Sequence, residues 1–308
     1  MAAETRTDLE RMNRLLKEKI LGYLPHPGKY QTDIRGLSLS RREAENQADS
    51  CFGRPSAAIV VQGAKCAVIG ATEYRYGANQ CLVTGVDMPS AFYILEPSPE
   101  KPFLAIALDL DGYLLTQLAA EVPESAGGDT HNTCSGVSVA DADADLVGAF
   151  LRLLELQEKP GQIAVRAPMI VREIHYLLLI GPQGRSLRQL NTLGTQSNQI
   201  YKSVAWLKEN FRTSLKIDDL AHYVNMVTST FYHHFKVVTG LSPLQYHKRL
   251  RLYEAQRLMM TEGCNAGEAA VAVGYESETQ FNREYKRLFG EPPRRDVVRR
   301  CSLLTRQA

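Results

Sequence analysis

The sequence predicts an α+β chain, with a strand-rich N-terminal domain flanked by helices and an all-α C-terminal domain that holds two helix-turn-helix units. Three observations predict it. A segment of the C-terminal third occurs twice, residues 31 to 110 break into short apolar runs, and the charge is unevenly divided. The two copies are Phe231-Tyr232-His233-His234-Phe235-Lys236-Val237-Val238-Thr239-Gly240-Leu241-Ser242-Pro243 and Phe281-Asn282-Arg283-Glu284-Tyr285-Lys286-Arg287-Leu288-Phe289-Gly290-Glu291-Pro292-Pro293. Their shared positions are offset by 50. Aromatics at i and i+4 share one helical face, and Gly followed by Pro stops the helix. An internal repeat of this kind takes precedence over other local readings.

Residues 196 to 308 carry 17 Lys and Arg against 11 Asp and Glu, while the rest carries 19 against 23. A basic third on an acidic body predicts a polyanionic partner for that third. No apolar run has the length of a membrane span, and the polar N-terminus has no secretory core. Six isolated cysteines without Cys-x-x-Cys indicate reduced thiols in the cytoplasm.

In chain order, Thr7-Asp8-Leu9-Glu10 has capping-box spacing and opens a helix with Leu9, Met12, Leu16 and Ile20 on one face. Gly22, Pro25, Pro27 and Gly28 end it. The runs 57–61, 66–69, 73–76, 81–83 and 103–108, punctuated by Gly, Asn and Pro, predict a small barrel or sandwich over residues 31 to 120. Ser125 to Ser138 reads as a loop. A helix pair follows at 140–181, the first carrying Leu146, Phe150 and Leu153 or Leu154, the second beginning near Pro168 with Ile170, Ile174, Leu177 and Leu178. The pair serves equally as a dimer face or as a cover for the barrel. Residues 1–190 form one domain and 191–308 the other, with Asn191 to Asn198 as the linker. A helix with Ile200, Val204, Leu207 and Phe211 opens the second domain.

The first helix-turn-helix unit spans residues 217–237. Ile217, Leu220, Ala221 and Val224 form its first helix face, and Asn225 sits at a bend that needs positive φ. Met226 plugs the corner, Thr228 or Ser229 caps the second helix, and Phe231 and Phe235 turn inward. The linking helix, 243–260, starts at Ser242-Pro243. The second unit, 266–288, uses Ala269, Ala270 and Val273, then Gly274 at the bend, Tyr275 as plug, Ser277 as cap, and Phe281 and Tyr285 inward.

These residues carry a resemblance. Gly274-Tyr275-Glu276-Ser277 with Phe281, Arg283, Tyr285, Lys286, Gly290 and Pro293 looks like the signature of the DNA-binding domain of AraC-type transcription regulators. Pro243, Tyr246, Arg251-Leu252 and Ala255 match that family's central helix. The resemblance covers about the last 110 residues. Upstream, Val61-Gln62-Gly63-Ala64-Lys65, Tyr76-Gly77, Cys81-Leu82-Val83-Thr84 and Val86-Asp87-Met88-Pro89 resemble the family's sensor type, a cupin-like barrel.

The resemblance implies that the second helix of each unit enters one of two successive major grooves of double-stranded operator DNA. The outward residues are then Ser229, Thr230, Tyr232 and His233 in one unit and Thr279, Gln280, Asn282 and Arg283 in the other. Arg283 suits guanine, Gln280 or Asn282 suits adenine, and Lys236, Lys286 and Arg287 suit phosphate. The sequence departs from the family at His233, where Arg is common, and at Val227, where Ser is common. A regulator of this class also implies a small-molecule or electrophile effector, a homodimer and RNA polymerase as a partner.

No histidine lies in the strand-rich stretch, so no metal site and no cofactor are expected. Tyr74, Tyr76, Phe92, Tyr93 and Phe103 are candidates for an apolar effector pocket. Cys66 and Cys81 flank one strand beside Lys65 and Arg75. They read either as structural thiols or as a reactive pair that senses oxidants or electrophiles. An enzyme is not expected. DNA-repair alkyltransferases with a similar module use clustered cysteines, and a Gly-x-Ser-x-Gly elbow is absent. An architectural DNA binder would leave the N-terminal half without a role.

Overall fold

The computed structural model describes residues 2–44, 49–70, 72–122 and 134–305. Helix α1 (Ala2–Tyr23) begins ahead of Thr7, so Thr7 lies inside it rather than capping it. The strands are β1 (Gly28–Gln31), β2 (Leu37–Arg42), β3 (Asp49–Gly53), β4 (Ser56–Gln62), β5 (Ala64–Ile69), β6 (Thr72–Gly77), β7 (Gln80–Thr84), β8 (Met88–Leu95), β9 (Phe103–Asp109) and, after helix α2 (Gly112–Glu121), β10 (Val137–Asp141). They form two antiparallel sheets, in the orders β1-β2-β9-β4-β7-β10 and β3-β8-β5-β6.

The six-stranded sheet is covered on both faces, and its side chains alternate accordingly. In β9, Leu104, Ile106 and Leu108 join Leu37, Leu39, Ile59, Cys81 and Val83 in a core shared with α1 and the helices that follow the barrel. Phe103, Ala105 and Ala107 point the other way, into the space between the sheets.

Two elements differ from the sequence reading of this half. Helix α2 falls within the span read as barrel. Asp111 caps it, its carboxylate accepting from the Tyr113 and Leu114 amides at 2.9 and 3.1 Å, and Leu115 and Leu118 bury. Val137 and Ser138 belong to β10 rather than to a loop. Residues 125–133 of that expected loop lie outside the described residues.

Helix α3 (Ala144–Glu155) buries Leu146, Phe150, Leu153 and Leu154, and a short 3-10 turn leads to α4 (Pro160–Ile180). Helix α4 therefore begins at Pro160, not near Pro168. Proline is favoured at the first helical position, where no amide bond is lost. Pro168 sits in the interior and gives up one ladder bond there. Helices α5 (Gly184–Asn191) and α6 (Gln196–Asn210) take half of the stretch read as a linker, leaving 192–195 between them. Its polar residues are consumed locally. The Asn191 side chain donates to the Leu187 carbonyl, Asn198 donates to the Leu190 carbonyl, and Thr195 caps α6.

The remaining helices are α7 (Ile217–Tyr223), α8 (Thr228–Thr239), α9 (Pro243–Thr261), α10 (Ala266–Ala272), α11 (Glu278–Phe289) and α12 (Pro293–Thr305). The α7–α8 unit shares one core with the barrel interior, in which Phe103 and Val137 join Ile200, Phe231, Phe235 and Tyr246. The α10–α11 unit has its own core, around Phe281, Tyr285 and Ala255. Polar contacts seal the first unit to the barrel. The Tyr246 hydroxyl donates to the Asp87 carbonyl at 2.7 Å, Lys208 pairs with the Asp87 carboxylate at 2.6 Å, and the Gly136 amide donates to the Val238 carbonyl at 2.9 Å. Among the described residues no helix is long and apolar enough to cross a membrane.

Candidate nucleic-acid interface and barrel cavity

Both units are built on the same inward residues. Leu220, Ala221 and Val224 are buried in the first, and Ala269, Ala270 and Val273 in the second. The bends have positive φ, 55° at Asn225 and 85° at Gly274. Phe231 and Phe235 in α8, and Phe281 and Tyr285 in α11, are fully buried, with tilted ring pairs at 5.5 and 5.6 Å. Gly240 and Gly290 end the two helices at φ of 71° and 82°. The offset of 50 holds for α8 and α11, but α7 and α10 are offset by 49, so the second turn is one residue longer.

The caps differ. Ser277 accepts from the Gln280 amide at 3.3 Å, as its position predicts. In the first unit neither Thr228 nor Ser229 caps. Val227 is the N-cap and offers no side-chain acceptor, while the Thr228 hydroxyl donates to the Asp218 carboxylate at 2.7 Å.

Ser229, Tyr232, His233 and Lys236 on α8, and Thr279, Gln280, Arg283, Lys286 and Arg287 on α11, are exposed, and Thr230 and Asn282 are half-buried. The Gln280 amide donates to Glu284 at 3.3 Å, so its side chain is partly engaged within the helix. Glu284 was not singled out from sequence. It is a buried carboxylate that accepts from Lys248 at 2.9 Å and from the Tyr275 hydroxyl at 2.8 Å. Burial pushes its pKa up, but the bonds from Lys248, Tyr275 and Gln280 outweigh this and hold it below the usual carboxylate range. Its repeat partner is His234, so the repeat itself gives no carboxylate signal there.

Between the two sheets lies a cavity of about 570 Å³. Tyr76, Phe92 and Phe103 line it. Tyr74 packs instead against the core shared with the first unit, and Tyr93 lies opposite Cys66 in the β5–β8 register, on the other side of the sheet. Lys29, Arg42, Arg54 and Lys65 also line the cavity, against a single carboxylate, Asp109. The Lys65 ammonium sits 3.8 Å from the centroid of the Phe92 ring. These basic residues carried no pocket signal in sequence, because alternation along short strands becomes informative only once register is known.

Cys66 and Cys81, open in sequence as structural thiols or as a reactive pair, lie on different sheets. Cys66 lies on β5 in the four-stranded sheet, and Cys81 lies on β7 in the six-stranded sheet, packed against the helices. Burial pushes the Cys81 thiol up to about 12, which leaves almost no thiolate to react at neutral pH.

Comparison with known proteins agrees with this architecture. Residues 33–186 match the AraC-type transcriptional regulator N-terminus, and residues 220–297 match a helix-turn-helix domain. The raffinose operon transcriptional regulatory protein RafR of Pediococcus pentosaceus is 33% identical over 97 residues, 32% of this chain and 35% of RafR. The transcriptional activator RhaS of Escherichia coli is 27% identical over 141 residues, 46% of this chain and 49% of RhaS. The chain thus spans about a third to a half of these relatives' length. Apo ToxT from Vibrio cholerae superposes with a TM-score of 0.54 at 9% identity, over 87% of this chain and 99% of ToxT. ToxT bound to an unsaturated fatty acid gives 0.54 at 10% identity, over 86% and 95%. At that identity the likeness is one of fold. With the N-terminal match covering half of the sequence and the helix-turn-helix match following it, the chain belongs to the AraC-type transcriptional regulators.

Proposed function

We propose that this protein is a sequence-specific DNA-binding transcription regulator whose two units read successive major grooves and whose barrel cavity binds the effector. Two exposed helix faces carry this. The outward positions of α8 and α11 project from frameworks with matching aromatic cores. One set is Ser229, Thr230, Tyr232 and His233, and the other is Thr279, Gln280, Asn282 and Arg283. Lys236, Lys286 and Arg287 flank them for phosphate. Among the described residues no hydrogen bond within the chain engages the side chain of Arg283 or Lys286, so both are available to DNA.

The effector assigned to the cavity is a carboxylic acid with an apolar tail. Phe92, Ile94 and Phe103 supply the apolar wall, and Lys65 supplies the cation. ToxT, of similar fold, has been solved with an unsaturated fatty acid. The homodimer is assigned to α4, where Val165, Met169, Tyr176 and Ile180 are exposed apolar residues at helical spacing. Transcriptional output then runs through RNA polymerase in the compartment that holds the chromosome.

Selection of bound fragments from genomic DNA tests the first part, and failure to enrich any fragment over a scrambled pool defeats it. Titration of fatty acids against chain-matched alcohols tests the second. Acids are expected to raise Tm and Lys65→Met to remove the effect, by roughly tenfold or more in affinity for one lost charge-assisted bond. Equal behaviour of acids and alcohols sinks the carboxylate assignment.

A further inference from the structure

Arg251 lies near the middle of α9 and spends its guanidinium on main-chain carbonyls at and after the end of α6 and at the bend of the second unit. Nε donates to Phe211 at 2.6 Å, and Nη2 donates to Arg212 at 3.1 Å and to Thr213 at 2.8 Å. Phe211 caps the C-terminus of α6, which packs in the core of the first unit, and Arg212 and Thr213 follow it. Nη1 donates to the carbonyl of Gly274, the bend of the second unit, at 3.0 Å. The same guanidinium lies 5.9 Å from the centroid of the Tyr275 ring, the plug of that bend. His247, one helical turn earlier on α9, shares the Phe211 carbonyl through Nε2 at 2.8 Å.

The second bend also touches the segment that follows α6 directly. A Cβ at Gly274 would meet the Arg212 carbonyl oxygen at 2.2 Å. The corresponding bend residue of the first unit, Asn225, is exposed and keeps a side chain. Positive φ accounts for a permissive residue at both bends, and the contact with Arg212 accounts for glycine at only one. The negative end of the α6 dipole favours a cation at this point, and the planar fork of arginine holds several acceptors at fixed mutual angles.

We infer that Arg251 is the positioning residue that fixes the distance and phase between α8 and α11, and so the half-site spacing that the protein accepts in DNA. This rests on the two-groove reading above. Helix α9 holds each unit by apolar packing, through Tyr246 and Leu250 on one side and Leu252, Ala255 and Met259 on the other. Such packing leaves small rotations inexpensive. A fork bonded at once to the α6 end and to the Gly274 carbonyl makes rotation of one unit against the other break hydrogen bonds. Base preference within each half-site belongs to α8 and α11 and is untouched by this residue.

The test uses the full chain with Arg251→Met and Arg251→Lys. Nitroxides placed through an unnatural amino acid at positions 229 and 279 report the α8–α11 distance without DNA. A narrow distribution is expected in the parent, one at least twofold broader in Arg251→Met, and an intermediate one in Arg251→Lys, whose single ammonium cannot span both sets of acceptors. Next, one or two base pairs are inserted between the halves of a selected site. The parent is expected to lose about tenfold or more in affinity and Arg251→Met about threefold or less, with base preferences unchanged. An unchanged distance distribution, or equal spacing penalties in parent and variant, overturns the inference. Should Arg251→Met not fold, Arg251→Lys decides by the same criteria. If the parent selects no DNA, the two-groove reading fails, and the distance measurement still decides whether Arg251 fixes the geometry.

Discussion

The Tyr285 hydroxyl donates to the buried Asp296 carboxylate at 2.8 Å, and fifty residues earlier the equivalent pair is Phe235 packed edge-on against Tyr246 at 5.5 Å. The repeat has thus kept an aromatic contact in one unit and replaced it by a charged hub in the other. Asp296 also accepts from Gln256 at 2.6 Å and from Arg299 and Arg300 at 3.1 and 3.0 Å, tying α12 to α11 and α9. Tyr246 turns its own hydroxyl away from the repeat, toward the Asp87 carbonyl of the barrel. One unit is therefore anchored to the barrel and the other to the C-terminal helix.

Removing the hub leaves several buried donors without an acceptor. Asp296→Ala is expected to destabilise the second unit by about 3–5 kcal/mol, and Tyr285→Phe by about 1–3 kcal/mol. Burial pushes the Asp296 pKa up, but bonds from Tyr285, Gln256 and the arginines outweigh it and hold it low. The stability it contributes is present above its unfolded pKa and is lost as pH falls through the folded value. Urea unfolding of the full chain, followed by hydrogen exchange in α11 and α12, measures this. A change under about 0.5 kcal/mol for Asp296→Ala would mean the hub is energetically idle.

The two caps invite a reciprocal exchange. Val227 is exposed, has the extended backbone of an N-cap (φ −70°, ψ 139°) and makes no cap bond. Val227→Ser is expected to stabilise α8 by about 0.5–1 kcal/mol, and Ser277→Ala to destabilise α11 by about 1 kcal/mol. Tm measurements on both variants check the signs. A Val227→Ser protein less stable than the parent would count against the cap geometry.

The α8 and α11 frameworks were legible in sequence because aromatics at i and i+4 and the glycines at helix ends leave a periodic signal. Asn225, Ser277 and the buried face of α3 could be named for the same reason. Short or atypical elements were not legible. The end of helix α5 and the start of α6 look like linker because Asn191 and Asn198 are polar, yet both side chains bond to nearby carbonyls. Pro293 reads as a stop for α11 but also serves as the first residue of α12, since proline does both. The parts held by long-range polar bonds were invisible. Arg251 to Gly274, Tyr285 to Asp296 and Lys65 over Phe92 depend on tertiary neighbours and have no period. The two readings of Cys66 and Cys81 could not be separated in sequence for a related reason. Closeness in sequence across β5, β6 and β7 hides the crossing from one sheet to the other.

His247 gives the fold a pH dependence of definite sign. Burial and the neighbouring Arg251 push its pKa down to about 4. Between about 6.5, the unfolded value, and 4, the unfolded chain binds a proton that the folded chain refuses. Stability should therefore fall as pH drops through that window, by at most about 1.4 kcal/mol per pH unit from this group. His175 is also buried with its pKa pushed down and adds the same sign, so the comparison must isolate one residue. The parent minus His247→Gln difference in unfolding free energy should shrink between pH 6.5 and 5, since glutamine can still donate to the Phe211 carbonyl. A difference that stays constant with pH would show that His247 does not titrate as described.

The proposed roles of Arg283 in base reading and Lys286 in phosphate binding can be tested separately, because both are exposed on α11 one helical turn apart. Arginine's planar fork matches the paired acceptors of guanine, whereas a lysine ammonium meets phosphate as a point charge. Arg283→Ala is expected to cost about 1–3 kcal/mol on a cognate site, to relax preference at one position and to leave scrambled DNA nearly unaffected. Lys286→Ala is expected to weaken cognate and scrambled DNA alike and to lower the salt slope by about one counterion. His233, which matches Arg283 in the repeat, provides the control. A single imidazole cannot match the paired acceptors of guanine as the arginine fork does, so His233→Ala should cost less than Arg283→Ala. Titrations of each variant at several salt concentrations distinguish the outcomes. Equal losses on cognate and scrambled DNA for Arg283→Ala would remove its base-reading role and leave α11 as a phosphate-binding helix only.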